Sequence, residues 1–205
     1  MVNVIGLDFD NTLIDYDQLI YQVALTRGLI DHSVPKSKKH IRDLIRILPD
    51  GEIEWQKVQG EIYGPRLMDA KIPDGVMNFF MICKCHNFKV YIISHKTEYA
   101  GYDETRTNLR KSATDWMTIN RFFDARMSPL SRHDVFFEST REEKLLRIRK
   151  LGCTHFLDDL EETFLEETFP QDVVRILYNP HLEVVSCQGV LVMATWRDIV
   201  TYLIS

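Results

Sequence analysis

The chain has 205 residues, enough for one well-packed domain or a core with a small insert and too few for two large domains. Its composition, 45% hydrophobic, 11% aromatic and 27% charged with 9 Gly and 7 Pro, excludes collagen-like, low-complexity and mainly disordered classes. Lys and Arg number 25 against 30 Asp and Glu, a net charge of -5, so no overall basic field gathers nucleic acid or an anionic membrane. An anionic substrate must then be met by local charges or by a metal.

In chain order, residues Val2 to Leu7 form a short apolar, β-branched run that stops at Asp8-Phe9-Asp10-Asn11-Thr12. This is the pattern of a buried parallel strand with polar residues at its carboxyl end. From Asp15 to about Tyr63 the period becomes helical: Tyr16, Leu19, Ile20 and Val23, then Ile41, Leu44, Ile45 and Leu48, then Ile53, Val58 and Ile62. Turn signals at Ser33-Val34-Pro35 and Pro49-Asp50-Gly51 divide these helices, and Pro73-Asp74-Gly75 opens another.

Phe88 to Ile93 reads as a second buried strand, ending at Ser94-His95-Lys96-Thr97. A loop with Tyr102, Asp103 and Glu104 follows, then a helix over Arg106 to Phe123, in the apolar phase of Leu109, Ala113, Trp116 and Met117. Val135 to Phe137 is a third strand, Glu142 to Leu151 a helix, and Thr154 to Leu157 a fourth strand ending at Asp158-Asp159. A helix near Leu160 to Phe169, strands at Val173 to Tyr178 and Val190 to Met193, and a helix from Trp196 complete the chain. The alternation predicts an α/β fold, a mostly parallel Rossmann-like sheet covered by helices on both faces.

Cys83, Cys85, Cys153 and Cys187 form no C-x-x-C pair and are expected to be reduced and mostly buried. Zinc at Cys83, Cys85 and His86 is disfavoured, because residues two apart on a helix face different ways. The opening MVNVIGLDFD lacks the features of a secretory signal, and no apolar run reaches the ~18 residues of a membrane span. A cytoplasmic location, with no membrane and no nucleic-acid partner, is the expectation. Oligomeric state is not legible.

The strand ends carry the chemistry. Asp8 and Asp10, Ser94, and Asp158 with Asp159 all follow strands that a parallel sheet would bring to one edge. Carboxylates gathered there repel unless a cation joins them, and oxygen ligands facing a phosphate select Mg²⁺. An acidic protein with such a metal and one lysine can hold phosphate.

In this order the residues resemble the four motifs of the haloacid dehalogenase superfamily: Asp8-x-Asp10-x-Thr12, Ser94, Lys144, and Asp158-Asp159. The resemblance implies Asp8 as nucleophile and Asp10 as general acid and base. It implies Ser94 and the His95 N–H, with Lys144, as phosphate ligands, and Mg²⁺ held by Asp8, Asp10 (through its carbonyl), Asp158 and Asp159. Lys150 and Lys96 are alternatives for the cation, and either Asp158 or Asp159 is the direct metal ligand. Residues 14–72 resemble the small helical cap of that superfamily, inserted into a core of residues 1–13 and 73–205. The expected activity is hydrolysis of a small phosphorylated metabolite through an aspartyl-phosphate. Phosphotransfer, phosphonate cleavage and non-catalytic binding of a phosphorylated ligand are the alternatives. Lys36, Lys38, Lys39 and Arg42 of the cap either steer an anion or form a solvated face, and the loop around Asp103 either borders the site or is plain surface.

Overall fold

The computed structural model describes residues 3–102 and 106–205. Val2, Asp103 and Glu104, which figure in the expectations above, lie outside the described residues.

Six strands, β1 (Val4–Leu7), β2 (Lys89–His95), β3 (Val135–Glu138), β4 (His155–Asp158), β5 (Val174–Tyr178) and β6 (Leu191–Met193), form one sheet in the order β3-β2-β1-β4-β5-β6. Every neighbouring pair is parallel, so the expected mostly parallel sheet is wholly parallel. In the last pair, β5 and β6 are parallel although the connection between them holds no helix.

The helices are α1 (Asp17–Thr26), α2 (Lys38–Arg46), α3 (Gly51–Tyr63), α4 (Val76–Cys85), α5 (Leu109–Ile119), α6 (Arg141–Lys150), α7 (Glu161–Leu165) and α8 (Trp196–Ile204). The chain winds β1 to β2 to β3 in one direction, then steps back across β1 to β4. Right-handed crossovers therefore put α4 and α6 on opposite faces. On the α4 face, Phe79 meets Phe80 and Trp196 edge to face, at 5.3 and 5.0 Å between ring centres. On the other, Leu145 and Ile148 of α6 join Phe156, Phe164 and Phe169 in one buried cluster.

The described residues form two compact units, the sheet unit of residues 3–14, 72–96 and 117–205 and a helical unit of residues 15–71, 97–102 and 106–116. The second is larger than the expected cap, because residues 97–102 and 106–116, placed by sequence in the α/β core, pack with the helical insert. The Trp116 indole N–H donates to the Ala70 carbonyl at 3.2 Å, and Gly64 lies close against Thr107. Within this unit Ile41 and Ile45 of α2 are buried with Leu19, Val23, Trp55, Val58 and Ile62, whereas Leu44 and Leu48, expected on the same stripe, are exposed. The buried stripe of α2 is thus one residue pair wide, at i and i+4. Only two of the four thiols expected to be mostly buried are so: Cys83 and Cys153, whose pKa burial pushes up to about 12, whereas Cys187 is half-buried. Cys85 is exposed. No described helix is long and apolar enough to cross a membrane.

Candidate active site

The step from β1 to β4 is where the winding direction reverses, and at such a point the loops leaving two adjacent strands diverge and open a crevice at their carboxyl ends. Asp8 follows β1 directly, and Asp158 is the last residue of β4. The Asp8 N–H donates to the Leu157 carbonyl at 2.8 Å, carrying the ladder one residue past the strand and setting the two aspartates side by side. After Asp8 the chain turns sharply. Asn11 adopts a left-handed conformation (φ 58), which Asn tolerates well, and the Leu13 N–H bonds back to the Phe9 carbonyl at 3.0 Å.

Asp8 and Asp158 are buried, and a cation lies between them. Lys144 Nζ donates to Asp8 Oδ1 at 2.6 Å and to Asp158 Oδ2 at 2.7 Å, with the lysine itself 3% exposed. Helix α6 delivers it. Thr140 caps the helix by accepting from the Glu143 N–H while Glu143 accepts from the Thr140 N–H, a reciprocal pair that fixes the first turn and so the position of Lys144. Asp158 is held on its other oxygen by the Leu160 N–H, at 3.0 Å.

The electrostatics follow from burial. Loss of solvent raises the Asp8 carboxyl to about 6; Asp158 and Asp10 push in the same direction, and Lys144 opposes them. For Lys144 burial favours the neutral amine, but the attraction of Asp158 and Asp8 outweighs it and holds the ammonium above its ordinary value. Carboxylate oxygens of Asp8, Asp158 and the half-buried Asp159 come within 4.8 Å of one another. An all-oxygen donor set with two buried carboxylates and a half-buried third has the chemistry that suits a hard divalent cation.

Leu7 of β1 pairs with Ile92 of β2, so Ser94 leaves the neighbouring strand close to the level of Asp8. Ser94 and His95 are themselves the last residues of β2, whereas the sequence placed them just after it. Ser94 is buried. His95 is exposed, with Nε2 3.1 Å from the Ser139 carbonyl. Partial burial lowers its pKa, aided by Lys144 and Arg141. Of the alternative cations, Lys144 meets Asp8 and Asp158, Lys150 ends α6, and Lys96 takes a different partner.

Lys96 is the residue whose place sequence reasoning missed. From the sequence it is open whether Lys96 touches substrate, lies in a solvated loop or substitutes for Lys144; it is buried, and its Nζ donates to both Asp10 oxygens, at 2.9 and 2.7 Å. The signal was present in the strand alternation, since residues two apart in an extended chain share a face and Lys96 therefore follows Ser94.

No family model and no curated protein matches the sequence. Solved structures do. The haloacid dehalogenase-like hydrolase SP0104 from Streptococcus pneumoniae superposes with a TM-score of 0.62 at 12% identity, over 98% of this chain and 98% of that one. A HAD family hydrolase from Deinococcus radiodurans R1, solved with bound phosphate and sodium, gives 0.58 at 11% identity over 98% and 95%. The HAD-hydrolase YfnB from Bacillus subtilis, bound to magnesium, gives 0.51 at 11% identity over 98% of both chains.

Proposed function

Belonging by fold to the haloacid dehalogenase superfamily of hydrolases, the chain, we propose, is a Mg²⁺-dependent phosphatase of a small phosphorylated metabolite that works through an aspartyl-phosphate on Asp8. The observation that carries this reading is the buried Asp8–Lys144–Asp158 array at the point where the sheet reverses direction, with Asp10 two residues away.

In this reading Asp8 attacks phosphorus in line, forming an O–P bond as the bond to the leaving oxygen breaks. The leaving oxygen takes the electron pair and a proton from Asp10. Asp10, now a carboxylate, takes a proton from water as that water attacks phosphorus and frees Asp8. The ammonium of Lys144 holds Asp8 in place and stabilises charge on the phosphoryl group, which the Ser94 hydroxyl and the His95 N–H bind. Asp8, Asp158, Asp159 and the Asp10 carbonyl would hold Mg²⁺, whose charge offsets that of the phosphoryl oxygens. Asp10 separates this reading from dehalogenation, since a halide leaves without a proton and needs no acid.

Purified protein is assayed for phosphate release from p-nitrophenyl phosphate and from a panel of phosphorylated sugars, nucleotides and amino acids, with Mg²⁺ and with chelator. The expected result is Mg²⁺-dependent release that Asp8→Asn abolishes. Unchanged activity in Asp8→Asn would sink the nucleophile assignment, and a better yield with an alcohol acceptor or a phosphonate would move the reading to phosphotransfer or C–P cleavage.

A further inference from the structure

We infer that Lys96 is a positioning residue for the acid–base step, clamping the Asp10 carboxylate so that one of its oxygens is aimed at the leaving group; this rests on the phosphatase reading above. Asp10 sits on the turn after β1, where a carboxylate on a single flexible stem has several rotamers open to it. Lys96 removes that freedom by bonding both oxygens, at 2.9 and 2.7 Å, which fixes the plane of the carboxylate as well as its distance.

The lysine is itself anchored at both ends. Its main-chain N–H donates to the Glu138 carbonyl at 2.9 Å, extending the β2–β3 ladder past the last paired residues, His95 and Glu138. Its ammonium lies 5.6 Å from the centre of the Phe9 ring, and Phe9 is fully buried and meets Phe137 edge to face. The clamp is thus built from two neighbouring strands and an aromatic residue of the same turn.

Stability alone does not account for this arrangement. Burying an ammonium and a carboxylate costs several kcal/mol per ion before their attraction returns it, and an apolar pair of the same volume is often equally stable. A second buried lysine beside the one that already serves Asp8 and Asp158 therefore has a use in geometry. Each aspartate of the first motif has its own lysine: Lys144 for Asp8, Lys96 for Asp10.

The test exploits leaving groups of the same shape that differ in their need for a proton. Nitrophenolate departs as a stabilised anion, whereas phenolate is more basic and gains more from an acid. Lys96→Met is expected to slow kcat on phenyl phosphate about 10- to 100-fold more than on p-nitrophenyl phosphate, with KM little changed. In an Asp10→Asn background the same substitution should add nothing on either substrate. Equal losses on both substrates, or full additivity with Asp10→Asn, would overturn the inference, since a residue that merely supports the fold slows both alike. Lys96→Gln, which keeps a donor and most of the length, carries the same comparison if the Met variant does not fold. Wild-type protein that hydrolyses neither ester removes the phosphatase reading and this inference with it; an active wild type with an unaltered substrate ratio in the variants removes this inference alone.

Discussion

At Asp8 the proposed nucleophile role and stability oppose each other. Its carboxyl titrates at about 6 in the folded chain against an ordinary 3.8, so the folded state binds this proton more tightly than the unfolded state does. Unfolding then releases a proton between those two values, and metal-free stability falls as pH rises from about 4 to about 6. The penalty is fully present at pH 7. Asp8→Asn removes it, and the metal-free variant is expected to be more stable than the wild type at pH 7 by roughly 1–3 kcal/mol. The gap should close as the pH approaches 4, as read by urea unfolding at a series of pH values. A wild type that gains stability on going from pH 4 to pH 7 relative to the variant would contradict the assignment of burial as the dominant effect.

Lys144 behaves in the opposite sense. Removing its ammonium leaves two buried carboxyl groups across the space it filled, the Asp8 and Asp158 side chains being 7% and 0% exposed. Lys144→Met is therefore expected to cost about 3 kcal/mol or more at pH 7. The loss should be smaller at pH 5, where Asp8 takes up a proton and one of the two charges disappears. The same urea series measures it.

At the scale of elements, the turn between α2 and α3 is closely fitted. Asp50 adopts a left-handed conformation (φ 56) and Gly51 begins α3 with its Cα against α2, where an added Cβ would stand 2.2 Å from the Ile45 carbonyl oxygen. That contact is with backbone and has no flexible end to move aside. Gly51→Ala, normally a stabilising change in a helix, is expected to destabilise by roughly 1–3 kcal/mol. A thermal melt of the variant decides the sign.

Elements also show what the sequence could tell. Strands with an apolar run and an abrupt polar stop were legible because burial puts apolar residues, Ile5 to Leu7 and Phe156 with Leu157, directly before Asp8 and Asp158. Asp8, Lys144 and Asp158 were legible too, as charges at strand ends and in a helical first turn. The grouping of residues 97–102 and 106–116 with the helical insert was not, because it depends on contacts such as Trp116 to Ala70 that join positions 46 apart in the chain. Lys96 was hidden by its neighbours. Beside His95 and Thr97 it reads as part of a polar loop, although the alternation that buries Ser94 also turns Lys96 inward, towards Phe9 and Asp10.

For the whole molecule, the net charge of -5 and the acidic cluster lead to a prediction about metal-linked stability. Three carboxylates with oxygens within 4.8 Å of one another, two of them buried, are more costly to assemble than Lys144 alone can offset, as the raised Asp8 shows. A divalent cation that binds them in the folded chain, and has no such cluster in the unfolded one, stabilises the fold by mass action. At a Mg²⁺ concentration 100 times its Kd the gain is about 2.7 kcal/mol. The melting temperature of the wild type is expected to rise with Mg²⁺ and to fall back with chelator, more steeply at pH 7 than at pH 5, because below about 6 a proton on Asp8 competes with the metal. Asp158→Asn should flatten the dependence, since it takes one of the three carboxylates from the cluster, whereas Asp134→Asn, at a carboxylate paired with Lys89 and outside the cluster, should leave it intact. A melting temperature indifferent to Mg²⁺ in the wild type would mean that Lys144 suffices, and that the acidic cluster holds no metal.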